Sequence, residues 1–296
     1  MFLFLVPLLN IWNRRRAAAK PDALAAVAGL TPATVVTGAS HGIGRALAQR
    51  FAEAGDTVVL VARDEEALEK TARFIRLVCE GRAFVCPLDV TTANAPQLLH
   101  AFLAANGLYP NVLVNNAGVG LGGRFDAHAP EEIEALVALN IQALTRLMRH
   151  VLPGMRDRAQ GGVLNVASLG GYGPGPYQAA YYASKAYVLS LTEAVASEMA
   201  GEGVRLAALA PGPVDTRFHA KMGADDALYR WLIPAMAPER VANAAWRGFR
   251  TWRRVIVPGI IPLGLAAALR LLPHPIIVPL VGWLLFPGER IKKDTP

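Results

Sequence analysis

The chain has 296 residues, 53% of them hydrophobic and 18% charged, which is enough apolar material for a sizeable core and excludes a disordered polymer. The net charge is +7, but the basic residues are scattered apart from Arg14, Arg15 and Arg16 and a loose group at Arg247, Arg250, Arg253 and Arg254. That pattern speaks against a nucleic-acid partner and fits an anionic cofactor or a membrane surface.

In chain order, the apolar run MFLFLVPLLNIW is followed at once by NRRR. A spanning helix needs about 20 apolar residues, and a secretory signal carries its positive charge before the apolar stretch rather than after it. Residues 1–29 therefore read as an extension, either an interfacial anchor with arginines on headgroups or a disordered or self-packed tail. With two cysteines, Cys79 and Cys86, that make neither a disulfide framework nor a zinc site, the expected compartment is the cytoplasm, with association at a membrane as an addition.

From residue 34, short β-branched runs alternate with amphipathic stretches. Strands are expected at 34–36, 57–62, 82–88, 111–115, 162–168 and 204–210, and helices at 43–54, 65–78, 95–105, 130–152 and 177–200. Continuous apolar strands separated by helices predict a parallel sheet covered on both faces, a Rossmann-type, doubly wound α/β domain in three layers over residues 30–257. Residues 258–296 are apolar and broken by prolines 258, 262, 273, 275, 279 and 287. Two short helices are expected there, completing the core or roofing a hydrophobic pocket, with an outer face on a membrane as the alternative.

TGASHGIG, residues 37–44, falls between the first strand and the first helix. Gly38 permits a tight turn, Gly42 lets the backbone approach a pyrophosphate, and Gly44 lets helix and strand pack closely, while the helix N-terminus offers free N–H groups. The second strand ends on Ala62 and is followed by Arg63, with Asp64 one step further. An arginine there suits the 2′-phosphate of NADP(H), with His41 and Arg45 as helpers; the alternative is a solvated strand-end residue. In AYYASKAY, residues 180–187, helical spacing sets Tyr181 beside Lys185, while Tyr182 points about 100° away. An ammonium near a phenol favours phenolate, which makes Tyr181 a candidate general acid/base and Tyr182 a packing residue. No H-x-x-x-H spacing or G-x-S-x-G elbow points to a metal enzyme or a serine hydrolase.

TGASHGIG, NNAG at 115–118, Ser168, Tyr181-Ala-Ser-Lys185 thirteen residues later, and PGPVDT at 211–216 together resemble the short-chain dehydrogenases/reductases over about residues 33–220. The resemblance implies a tetrad in which Tyr181 exchanges a proton with the substrate oxygen and Lys185 lowers its pKa and holds the nicotinamide ribose. Ser168 would bond the substrate oxygen, and Asn140 would hold a water linked to Lys185. For the cofactor it implies contacts from Ser40, His41 and Ile43 in the glycine loop, Asp89 and Val90 near the adenine, Asn116, Ala117 and Gly118 along the wall, and Pro211, Gly212, Val214 and Thr216 at the carboxamide. VVLVARDEEALE and VPLVGWLLFP are similar, more loosely, to ketoacyl- and lipid-ketone-type reductases.

The expected activity is interconversion of a ketone and a secondary alcohol with NADP(H). The substrate is expected to be acyl, lipid-like, steroid-like or aromatic, held by residues 217–238 with Phe218, Met222, Tyr229, Trp231 and Met236. A homo-oligomer is implied by the family. The competing reading is an NADP(H)-binding regulatory or membrane-associated scaffold without turnover.

Overall fold

The computed structural model describes residues 18–218, 222–223, 228–229 and 233–286. Strands β1 (Thr31–Thr37), β2 (Thr57–Ala62), β3 (Ala83–Pro87), β4 (Leu108–Asn115), β5 (Gly161–Val166), β6 (Val204–Leu209) and β7 (Val255–Ile256) form one sheet of order β3-β2-β1-β4-β5-β6-β7. Every neighbouring pair is parallel. The chain winds outward from β1 to β3, returns to β4 and winds the other way, so the strand order reverses between β1 and β4. In such sheets ligands bind outside the carboxyl ends of the strands at that reversal.

The helices are α1 (Pro21–Ala25), α2 (Gly42–Glu53), α3 (Glu65–Val78), α4 (Ala95–Ala105), α5 (Pro130–Val137), α6 (Leu144–Asp157), α7 (Ala179–Glu198), α8 (Pro238–Arg250), α9 (Ile260–Leu271) and α10 (His274–Leu285). Adjacent strand residues serve opposite faces. Val36, Leu60 and Val114 pack with Leu47 and Phe51 of α2 and Phe249 of α8 on one side. Val35, Val59, Val61 and Leu113 pack with Leu99 of α4 and Leu147 and Val151 of α6 on the other. Because both faces are buried, the strands read as unbroken apolar runs, each large side chain contributing about 1.5–3 kcal/mol.

Several local features differ from the expected elements, and helices α1 and α8 stand where no helix was expected. The helix anticipated over 130–152 is α5 and α6 joined by a π-helical segment, Ala138–Ala143. α6 continues through Pro153 to Asp157. β7 was not anticipated; it is two residues long, too short for a periodic signal, and exists through its pairing with Ala208 and Leu209 of β6. The two apolar helices expected after residue 258 are α9 and α10, and Ile277, Val281 and Leu285 of α10 are buried with Tyr229. Among the described residues no helix is long and apolar enough to cross a membrane. The apolar and basic run at the N-terminus and Trp231 lie outside the described residues.

Candidate active site

The glycine loop leaves the carboxyl end of β1 at Thr37. Gly38 (φ +64°) and Gly42 (φ +54°) take left-handed backbone that disfavours a side chain. A Cβ on Gly38 would stand 2.8 Å from the Asn116 amide nitrogen, and one on Gly42 would stand 3.0 Å from Thr216 Cγ2. A Cβ on Gly44 would collide with the Gly38 carbonyl and the Asn116 amide. The loop is latched by Asn116, whose Nδ2 donates to the carbonyls of Thr37 (2.9 Å) and Gly38 (3.2 Å). Thr37 Oγ1 accepts the N–H groups of Asn116 (3.0 Å) and Ala117 (3.1 Å) and donates to Val114 O at 3.3 Å. Thr37 was not singled out from the sequence, although it opens the TGASHGIG motif. The result is a side-chain-free cradle against the N-terminus of α2, which fits a pyrophosphate.

Beyond β2, Arg63 is exposed at the edge of the cleft. Asp64 Oδ1 accepts Ala67 N–H at 3.0 Å, which caps α3. Asp64, the carboxylate next to Arg63, is thus engaged at a helix N-terminus. Asp89 Oδ1 accepts from Thr91 Oγ1 (2.7 Å) and Thr91 N (2.9 Å). These bonds, with a smaller effect from Arg63, hold the Asp89 carboxyl below its ordinary value.

The remaining polar groups converge where β4, β5 and α7 meet. Asn140, 1% exposed in the π-helical segment, accepts Val119 N–H (2.9 Å) and donates to Val119 O (2.8 Å) and Ser184 Oγ (3.0 Å). Both its amide hydrogens are thereby committed. Ser184 Oγ donates to Tyr181 O at 2.7 Å, tying this clamp to the first turn of α7. Gly118 leaves room between strand end and helix, since a Cβ there would lie 3.2 Å from Asn140 Oδ1 and 3.5 Å from Lys185 Nζ. Ser168 Oγ accepts Gly170 N–H at 3.1 Å and also hydrogen-bonds the Tyr181 side chain.

Buried positions on α7 recur as Tyr181, Ser184, Lys185, Val188 and Thr192, one helical face turned into the protein. Lys185 Nζ donates to Val166 O at 2.8 Å and sits 5.7 Å from the Tyr181 ring centroid. Burial pushes the Lys185 amine down to about 8. Burial also pushes the Tyr181 phenol up to about 12, against the opposing hydrogen bond from Ser168. Spacing brings Lys185 close to Tyr181 as expected, while burial is the larger influence on the phenol and Ser168 is the group that opposes it.

These groups line one cavity of about 1210 Å³, running from the glycine loop past Lys185 and Tyr181 to α9 and α10. Every residue expected to bind cofactor or do chemistry borders it except Gly44, packed beneath the loop, and Asn140, behind Gly118. On the far side Phe218, Met222 and Tyr229 contribute as expected. Met236 does not: its backbone pairs with Val214 (Asp215 N to Met236 O, 3.0 Å), and its side chain packs toward Gly259 and the core. Tyr182 packs over Gly170 and Gly175, as a packing residue should, yet it also borders the cavity. The roof comes from α9 and α10 through Leu269, Ile277, Leu280, Val281 and Leu284. None of these was named from the sequence; the run of apolar residues was their signal.

The sequence matches the family profile described as short chain dehydrogenase over residues 32–227. A ketoacyl reductase, HetN, of Nostoc sp. is 33% identical over 231 residues, covering 75% of this chain and 76% of the relative. A short-chain dehydrogenase from Sphingobium yanoikuyae, solved in complex with NADPH, is similar with a TM-score of 0.71 and 31% identity, over 77% of this chain and 88% of that one. The bulky-bulky ketone specific alcohol dehydrogenase from Comamonas testosteroni is similar with a TM-score of 0.67 and 26% identity, over 82% of this chain and 95% of that one.

Proposed function

The chain belongs to the short-chain dehydrogenase/reductase family, an oxidoreductase acting on CH–OH and C=O groups with a nicotinamide cofactor, and from that premise we propose an NADPH-dependent reductase of hydrophobic ketones. The observation that carries the reading is the Tyr181 phenol, hydrogen-bonded to Ser168, at the junction of the glycine-lined cleft and an apolar chamber. When bound, the cofactor supplies the hydride.

The residues of the chain orient and protonate. Gly38, Gly42 and the N-terminus of α2 would hold the pyrophosphate, and Arg63 the 2′-phosphate, with His41 and Arg45 beside it. Asp89 would meet the adenine, and Thr216 and Val214 the carboxamide. Ser168 would hold the ketone oxygen against Tyr181. A phenol kept protonated at neutral pH is suited to donate to that oxygen, which favours the reductive direction. Lys185 would bond the ribose. Asn140 clamps Val119 and, through Ser184, the start of α7; its implied part in a water-linked relay falls to Oδ1 or the backbone, because its amide hydrogens are taken.

Support for a bulky apolar substrate comes from the chamber wall of Phe218, Met222, Tyr229, Leu269 and Val281. The proposal includes assembly into a homo-oligomer and peripheral contact with a membrane from the cytoplasmic side. The test is NADPH oxidation followed by absorbance against ketones graded by chain length and ring size. Rising kcat/KM with apolar bulk is expected; a preference for small polar ketones, or for NADH, contradicts the reading. An NADP(H)-binding scaffold would bind cofactor and reduce none of them.

A further inference from the structure

Helices α9 and α10 carry two apolar faces. The inner one closes the cavity. The outer one leaves Ile260, Leu263, Leu271, Ile276 and Trp283 between 57% and 89% exposed. A helix that faces water sets charged residues on its outer side. Here Arg270 is the one Lys, Arg, Asp or Glu from residue 255 to 286, and it is paired with Glu193 at 2.9 Å. The sequence has no Asp or Glu from Arg240 to Gly288, so this stretch presents nothing that anionic lipid would repel. The two faces meet at Leu272 and Leu280, which are 43% and 49% exposed and also border the cavity. Leu272 and Leu280 are therefore shared between the apolar wall of the chamber and the outer apolar face.

We propose that α9 and α10 lie flat on an anionic lipid bilayer, and that an amphiphilic ketone passes from the bilayer between Leu272 and Leu280 to Tyr181. The second half of the proposal rests on the reductase reading; the docking does not. Each helix has 12 residues, about 18 Å, well short of the roughly 30 Å of a hydrocarbon core, so the contact is in-plane. Trp283, with an apolar ring and one N–H, suits the headgroup boundary. A second copy of the chain is a poorer occupant, because a protein interface surrounds its apolar centre with paired polar groups, and the single charge here is already paired.

The test uses the full chain and flotation with vesicles of phosphatidylcholine, alone or mixed with phosphatidylglycerol. The wild type is expected to float with the mixed vesicles and less with phosphatidylcholine alone. Ile276→Glu and Trp283→Glu should each cut the partition roughly 10-fold, with the milder Ile276→Ser and Trp283→Ser in between. Neither position borders the cavity, so turnover of a short water-soluble ketone should stay at the wild-type level while turnover of a ketone dissolved in the vesicles falls with the partition. The proposal is overturned if the wild type stays with the buffer or if the variants float as well as it does. It is also overturned if light scattering shows a dimer in solution that Ile276→Glu dissociates, since a second copy would then cover the face. Loss of flotation in the variants, with no ketone reduced by any form, would uphold the docking and reject the activity.

Discussion

Replacing Lys185 by Met should make the protein inactive and, at neutral pH, more stable. The amine is buried, and its pKa falls from 10.5 to about 8. At about 1.4 kcal/mol per pH unit, charging it inside the protein costs about 3 kcal/mol at pH 7. The change to Met removes that cost and keeps an apolar stem, but it forfeits the bond to Val166 O (2.8 Å) and leaves a buried carbonyl unpaired, worth roughly 1–2 kcal/mol. The net gain is about 1–2 kcal/mol at pH 7, a rise of a few degrees in Tm. The sign follows from proton binding. Between pH 8 and 10.5 the unfolded chain holds the Lys185 proton more firmly than the folded one, so wild-type stability attributable to this group rises with pH across that window. Above it the desolvation cost is gone and only the hydrogen bond distinguishes the two proteins. Lys185→Met should therefore be the more stable below about pH 9 and the less stable above it. Paired thermal melts from pH 7 to about 10.5 measure this directly. A variant less stable than wild type at every pH, by a constant margin, would refute the reasoning.

Arg63→Ala should weaken NADPH binding roughly 10-fold and leave NADH unchanged, measured by cofactor fluorescence; equal effects on both would remove the phosphate role. Asn116→Ala frees the Thr37 and Gly38 carbonyls (2.9 and 3.2 Å), so Tm should fall by the equivalent of about 1–3 kcal/mol and cofactor affinity with it. If the melt shifts and affinity does not, the latch is structural only. Asn140→Ala should lower kcat more than it raises KM, by undoing the Val119–Asn140–Ser184 clamp under α7. An unchanged kcat would show that the clamp does not position Tyr181.

Most of the sheet was legible because Val35 and Val36, pointing to opposite faces, are both buried, and only a doubly covered sheet asks for that. The cradle was legible because Gly38, Gly42 and Gly44 stand at places a side chain would fill. Other features depend on tertiary context. The π-helical segment at Asn140 has no breaker in ALNIQA, and β7 consists of little more than its neighbour's hydrogen bonds. Met236 looked like a pocket residue by its apolar character, but its side chain is turned away by the pairing with Val214. For Lys185 and Tyr181, four-residue spacing gave proximity; how deeply α7 sinks them is set by β5 and Gly118, and burial decides the direction of both shifts. Tyr182 leaves α7 on a second face, yet its ring meets that of Tyr181 edge to face at 6.2 Å, and the placement of α9 and α10 makes that face part of the chamber.

The central claim is that one of two adjacent tyrosines transfers the proton, and it is tested by comparing Tyr181→Phe with Tyr182→Phe in NADPH-dependent ketone reduction. Tyr181→Phe should lose roughly 10²–10⁴-fold in kcat while binding NADPH as before, and Tyr182→Phe should keep kcat, with any change confined to KM. Equal losses in the two variants, or turnover that survives Tyr181→Phe, would contradict the account.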